Sequence, residues 1–294
     1  MKPAPFDYYA PESIEEALAL LARLEDEDVD AKILAGGQSL MPMLSLRVAR
    51  PEALIDLRKL SSLDYIREDN GKIAIGTMTS KSAAEDSDLI RTKQPLFHAA
   101  TQRIGHRQIR NQGTVGGSFA HADPAAEYPA VALALDMEMT VVSANGHRVI
   151  PAADFFVTFL TTDIDSTEIL TEVRMPKLPA ACGWSFQELS RRDGDFALAG
   201  AAVTMSIESG KCANARVVAF GINATAVRLQ SAEQAVNGEQ PGEAIFALAG
   251  SKAAEAVDEP LSDVHASAAY RRHLVQVMVS RGLAEAAMRA GGKH

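Results

Sequence analysis

Apolar positions along the chain change period several times, and each change marks an element. Ile14, Leu18, Leu21 and Leu24 recur at helical spacing behind Ser13, with Glu16 placed to close a capping box. The acidic run EDEDVD (residues 25–30) ends that helix as a solvated turn. AKILAGG (31–37) reads as a short buried strand that stops at glycines. PEALIDLRKL (51–60) and GKIAIGTMTS (71–80) are two further strands. SAAEDSDLI (82–90) and QPLFHAATQRI (94–104) return to helical period, with Pro95 suited to a helix start. AEYPAVALAL (126–135) continues as helix and is followed by a hairpin turning at Asn145-Gly146. STEILTEVRMP (166–176) is a strand that stops before Pro176.

Beyond KLPAACG (177–183) the texture differs. WSFQELSRR, LAGAAVTMSI and ARVVAFGI are three apolar runs joined by short turns, ESGK (208–211) being the clearest. Sequential strands with tight turns make an antiparallel sheet. Alanine-rich helix follows, ending in AYRRHLVQVMVSRGLAEAAMRA (269–290), which suits either a cap on the sheet or an interface. The order is α+β, with a domain boundary near residue 177. No internal repeat or low-complexity segment is present.

Two glycine-rich stretches stand out against this pattern: AGGQS at 35–39 and TVGGS at 114–118. Glycine lets a backbone approach a ligand closely, and successive amides in such a turn converge on phosphate oxygens. Gln38, Ser39, Thr114 and Ser118 add polar side chains. Neither stretch is a P-loop, because no Lys-Ser or Lys-Thr follows, and neither is the GxGxxG dinucleotide fingerprint. Either one alone reads as an ordinary turn. Together they suit two loops on one extended ligand such as a dinucleotide.

Composition narrows the chemistry. The 294 residues carry 47 % hydrophobic and 23 % charged side chains, ordinary for a globular protein of about two domains. A net charge of −9 without a basic cluster disfavours nucleic acid. No apolar run is long enough to span a membrane, and the N-terminus lacks a signal-peptide core, so a cytoplasmic protein is expected. Two cysteines, Cys182 and Cys212, cannot build an iron–sulfur or zinc site, and the histidines form no ligand pattern. No metal site and no catalytic acid–base pair is expected. Any redox chemistry therefore falls to an organic cofactor. Arg103, Arg107 and Arg110 are either a solvated helix face or a counter-charge for a diphosphate. Asp123-Pro124 reads as a helix cap and first-turn pair.

AGGQSLMPMLSLR (35–47) and RNQGTVGGSFAHADPAAEYPAVALAL (110–135) closely resemble the FAD-binding medium subunit of molybdenum hydroxylases, the family of the carbon monoxide dehydrogenase flavoprotein and the xanthine dehydrogenase FAD domain. FDYYAPESIEEALALLA (6–22), RRDGDFALAGAAV (191–203) and YRRHLVQVMVSRGLAEA (270–286) are similar to the same family, so the likeness covers nearly the whole chain. It implies a vanillyl-alcohol-oxidase-type (PCMH) FAD-binding fold at 1–176, in subdomains of about 1–57 and 58–176. A small antiparallel sheet backed by helices would follow at 177–294.

The resemblance also implies a site. FAD's pyrophosphate would lie between Ala35, Gly36, Gly37, Gln38 and Ser39 on one side and Thr114, Val115, Gly116, Gly117 and Ser118 on the other. Ile33, Leu34 and Leu40 flank the first grip. Ile104, Leu170 and Phe196 match positions near the flavin, and Glu127 matches an acid that contacts ribityl or adenosine hydroxyls. Phe196 stands where the carbon monoxide enzymes carry a tyrosine. Phe186-Gln187-Glu188 lacks a lysine that some relatives place beside the ring. The molybdenum cofactor and 2Fe–2S clusters are expected only in partners, a large and a small subunit, as a heterotrimer doubled to a hexamer. The chain would accept electrons from those clusters and pass them outward. Two other readings remain at this point: a cofactor-free assembly subunit, and a free-standing flavin oxidoreductase.

Overall fold

A computed structural model describes residues 2–291. The first layer is a three-stranded parallel sheet of β1 (Asp7–Tyr9), β2 (Ala31–Leu34) and β3 (Ala53–Asp56), with β3 in the centre. Helix α1 (Ile14–Asp26) joins β1 to β2, and helix α2 (Leu40–Leu46) joins β2 to β3. The Ser13 hydroxyl accepts from the Glu16 amide, and the Glu16 carboxylate accepts from the Glu12 amide, so α1 starts on a reciprocal cap. Its Leu18, Leu21 and Leu24 face pack on Ala53, Ile55 and Leu57. Pro42 sits inside α2 without harm, because a first-turn residue has no intrahelical amide bond to lose.

The second layer is a five-stranded antiparallel sheet. Its strands are β4 (Ile66–Asp69), β5 (Lys72–Gly76), β6 (Glu138–Ser143), β7 (Gly146–Pro151) and β10 (Ile169–Pro176). The order is β4-β5-β10-β6-β7, so the last strand to appear in sequence is the central one. Between β5 and β6 run six short helices: α3 (Lys81–Asp86), α4 (Asp88–Lys93), α5 (Pro95–Arg103), α6 (Arg107–Gln112), α7 (Val115–His121) and α8 (Glu127–Leu135). A stack of Phe97, Tyr128 and Phe119, with centroids 4.5 and 5.3 Å apart, ties α5, α8 and α7 together. Helix α9 (Ala152–Phe155) and the ribbon β8 (Phe156–Thr158) and β9 (Thr161–Thr162) complete this part. The β6–β7 hairpin turns at Ala144-Asn145 rather than at the expected Asn145-Gly146. Ser143 pairs with Gly146, and Gly146 absorbs the positive φ just after the turn.

The C-terminal sheet comprises β11 (Cys182–Ser190), β12 (Ala197–Glu208), β13 (Lys211–Phe220) and β14 (Val227–Arg228), antiparallel and in sequence order. Helices α10 (Gln230–Val236), α11 (Glu243–Ala256) and α12 (Ala268–Ala290) cover one face. On the other face Phe186, Ala202, Val218 and Phe220 join the same core as α5 and α8. Burial on both faces explains why LAGAAVTMSI is continuously apolar instead of alternating. The long α12 buries Leu274, Val275, Met278 and Leu283 against the sheet and so acts as an intramolecular cap. Among the described residues no helix is long and apolar enough to cross a membrane.

Candidate functional site

The two glycine stretches meet. A Cβ on Gly36 would lie 2.2 Å from the Gln112 carbonyl oxygen and 2.7 Å from the Gly113 Cα. A Cβ on Gly117 would lie 3.3 Å from the Ala35 Cβ. The Gln38 side chain packs on Gly113. The loops thus form one seam in which glycine is required by close approach.

They are built differently. The first runs from the end of β2 into α2. Gly37 takes φ +71°, and Ser39 occupies the N-cap position of α2 without bonding its hydroxyl to the helix. The amides of Gly36, Gly37, Gln38, Ser39 and Leu40 donate to no acceptor among the described residues, while Gly36 and Gly37 carbonyls accept from the Gln38 side chain and the Met41 amide. A helix N-terminus preceded by free amides in a turn is an anion-binding concavity.

In the second loop the glycines lie inside a helix, contrary to the expectation of a loop. Thr114 caps α7, its hydroxyl accepting from the Gly117 amide at 3.0 Å. Val115 donates to Thr79 and Gly116 to Thr77, which stitches the loop to the segment after β5. A Cβ on Gly116 would meet the Thr77 Cβ at 2.2 Å, so Gly116 makes room for the protein itself. Val115 is fully buried; Gly117 and Ser118 remain half-exposed at the seam.

The other expected residues lie at different places and depths in the fold, and Phe196 lines a cavity that contains none of the seam residues. Ile33 and Leu34 end β2, and Leu40 opens α2. Leu170, buried in β10, accepts from the Thr77 hydroxyl through its carbonyl, directly behind Gly116. Ile104 is buried at the end of α5 and accepts from Arg110. Phe196 is 67 % exposed and lines a cavity of about 240 Å³ with Asp123, Pro124, Phe159 and Leu261. Glu127 is the first residue of α8 and only 7 % exposed; burial pushes its carboxyl up to about 7.

Two readings of single residues are settled by geometry. Asp123-Pro124 does not cap α8, which starts three residues later. Asp123 instead accepts from the Ala125 amide in a tight turn. The arginine run is no free counter-charge at its inner end: Arg107 pairs with Glu85 and Asp86, and Arg110 with Glu85 and the carbonyls of Ile104 and Gly105.

Two functional candidates went unseen in the sequence. Lys81 opens α3 and is 8 % exposed beside the second loop. Its signal was a lysine in a helix first turn, where the macrodipole disfavours it. Glu188 shares the Phe186 face of β11 and so points toward α5 and α8, whereas Gln187 turns to α12 and donates to Glu285. Glu188 Oε2 is buried without a partner, and burial, then the nearby Glu127, push the carboxyl up to about 8. Position 188, not 187, faces the junction between the sheets.

Comparisons with known proteins identify the family. Residues 4–178 match the family described as FAD binding domain in molybdopterin dehydrogenase, and 184–286 match the CO dehydrogenase flavoprotein C-terminal domain. The 6-hydroxypseudooxynicotine dehydrogenase complex subunit alpha of Paenarthrobacter nicotinovorans is 43 % identical, over 99 % of this chain and 97 % of that one. The carbon monoxide dehydrogenase medium chain of Hydrogenophaga pseudoflava is 36 % identical, over 96 % and 97 %. A solved structure of carbon monoxide dehydrogenase from Hydrogenophaga pseudoflava superposes with a TM-score of 0.94 at 36 % identity, covering 98 % of this chain and 99 % of that one. Quinoline 2-oxidoreductase from Pseudomonas putida 86 does so with a TM-score of 0.92 at 34 %, covering 100 % and 99 %. The chain belongs to the family of FAD-binding medium subunits of molybdenum hydroxylases.

Proposed function

We propose that this chain is the electron-transfer subunit of a molybdenum-containing hydroxylase, receiving electrons from 2Fe–2S clusters of a small partner and passing them to an external acceptor. A large partner holds the molybdenum cofactor, and the heterotrimer pairs into a hexamer in the cytoplasm. The names of the relatives, "complex subunit" and "medium chain", support a multi-subunit setting. The chain's own cysteines are two, both free, short of the four thiolates a 2Fe–2S cluster takes.

The observation that carries the reading is the seam: a run of amides with no acceptor among the described residues, and packed beside it a glycine-bearing helix start whose Gly117 and Ser118 stay half-exposed. A diphosphate fits such a donor set. In this reading residues 1–176 hold the cofactor and 177–294 close over it. The amides from Gly36 to Leu40 and the Ser39 hydroxyl bind the diphosphate. Thr114 to Ser118 form the opposing wall. Glu127 accepts from a sugar hydroxyl. Ile104 and Leu170 exclude water, and Phe196 covers the ring. When bound, FAD supplies acceptance of electrons singly and their release as a pair.

The test is a visible spectrum of the purified chain before and after denaturation, with the released compound identified by mass. Released FAD is expected. A colourless, folded chain that refuses added FAD overturns the reading and leaves the assembly-subunit alternative.

A further inference from the structure

Lys81 and Glu127 are each more than nine-tenths buried, yet the Lys81 ammonium has no hydrogen-bond partner among the described residues and the Glu127 carboxylate meets only its own amide, and the two form no ion pair with each other. Burying a charge without a partner is costly, and buried charges are normally paired or bound to a ligand. The stem of Lys81 packs on Gly113, the same glycine that receives Gln38 of the first loop, and its amide donates to the Gly113 carbonyl at 2.8 Å. Lys81 therefore stands where the two loops join. Its ammonium lies 5.8 Å from the Tyr128 ring centroid, next to the start of α8 that carries Glu127.

The neighbouring cations are committed elsewhere. Arg107 is held by Glu85 and Asp86, and Arg110 by Glu85 and three backbone carbonyls. A protein of net charge −9 that takes in a dianion needs local positive charge. We propose that Lys81 is the cationic ligand of the bound dinucleotide's diphosphate, completing the donor set that the amides of the first loop begin. The proposal rests on the FAD reading above and names a residue that neither loop contains.

A consequence follows for pH. The groups facing Lys81 are Glu127 and the Tyr128 ring from α8, Arg110 from α6 and His121 from α7, with Asp123 beside Glu127 and His121. Burial lowers the Lys81 ammonium to about 8; Arg110 adds to this and Glu127 opposes it. Only the protonated lysine attracts the diphosphate, so affinity for FAD falls as pH rises from 7 to 9, by about tenfold for one proton. Glu127, at about 7, titrates at the lower edge of that window, and Glu188, at about 8 beside Glu127, within it, so both carboxylates add to the same fall.

The test titrates the full-length, FAD-stripped chain with FAD and separately with riboflavin, which has no phosphate, following flavin fluorescence at pH 7 and pH 9. The variant is Lys81→Met, which keeps the stem's length and removes the charge. FAD affinity at pH 7 is expected to fall about 10- to 100-fold, the range of a lost charge-assisted bond. Riboflavin affinity should stay unchanged, and the pH slope for FAD should shrink to what Glu127 and Glu188 contribute. The thermal midpoint of the stripped variant should equal or exceed wild type, because an unpartnered buried charge is gone. A folded variant that binds FAD as wild type overturns the proposal. So does equal weakening of FAD and riboflavin, or a lowered midpoint without FAD, which marks a structural lysine. A wild-type chain that refuses FAD is a different result: it removes the FAD reading itself, and this assignment with it.

Discussion

The two glycine loops carry nearly the same letters and do opposite work. The first leaves its amides free and puts Gly37 in the left-handed region; the second engages its amides with Thr77, Thr79 and Thr114. Each has a hydroxyl residue at a helix start. Thr114 bonds its helix, and Ser39 does not. One loop is a set of donors and the other is a wall held in register by the strand behind it. A glycine's missing Cβ can make room for a ligand or for a neighbour, and only the packing tells which.

Substitutions can break this contrast in graded steps. The largest effect is expected from Gly116→Val, whose Cβ would sit 2.2 Å from the Thr77 Cβ. It should cost about 3 kcal/mol or more of stability by chemical denaturation, FAD or not; a wild-type midpoint would remove the wall's structural role. Gly37→Val faces only 3.1 Å to the flexible Met41 but must adopt φ +71°. It should cost about 1–2 kcal/mol of stability and abolish FAD retention; stoichiometric FAD in the folded variant would displace the diphosphate from the first loop. Thr114→Val removes a working cap and should lower stability by about 1 kcal/mol. Ser39→Ala should leave stability within about 0.5 kcal/mol and weaken FAD by about 1 kcal/mol. If the Thr114 and Ser39 results came out reversed, the assignment of donors and wall would be reversed too.

Local features were readable from the chain. The start of α1 follows from Ser13 and Glu16, and the β12–β13 hairpin from ESGK, where Ser209 and Gly210 take positive φ. Features set by distant partners were not. The three residues of β1 are a strand only because β3 lies beside them. Helix α2 was hidden by Pro42 and by apolar residues on every side. The glycines of the second stretch looked like a turn because nothing local shows that Thr77 stands behind Gly116. In the site, the pairing of the stretches was legible from their composition. Lys81 and Glu188 were not, since what marks them is the absence of a partner, which is a property of the fold. The absence of a lysine at 187 was visible, but strand alternation puts Glu188, not Gln187, on the face that matters.

The central place of β10 has a consequence for synthesis. Both loops leave the ribosome before residue 120, but the sheet beneath them has a gap between β5 and β6 until Ile169–Pro176 emerges. Until then two open strand edges face each other without a partner, and such edges invite wrong pairing. Thr77, on which Gly116 rests, gets its own hydroxyl acceptor only when Leu170 arrives. A nascent chain cut short of β10 would therefore carry every residue of the glycine loops and still be unable to shape them, which makes cofactor loading a late event in the life of the chain.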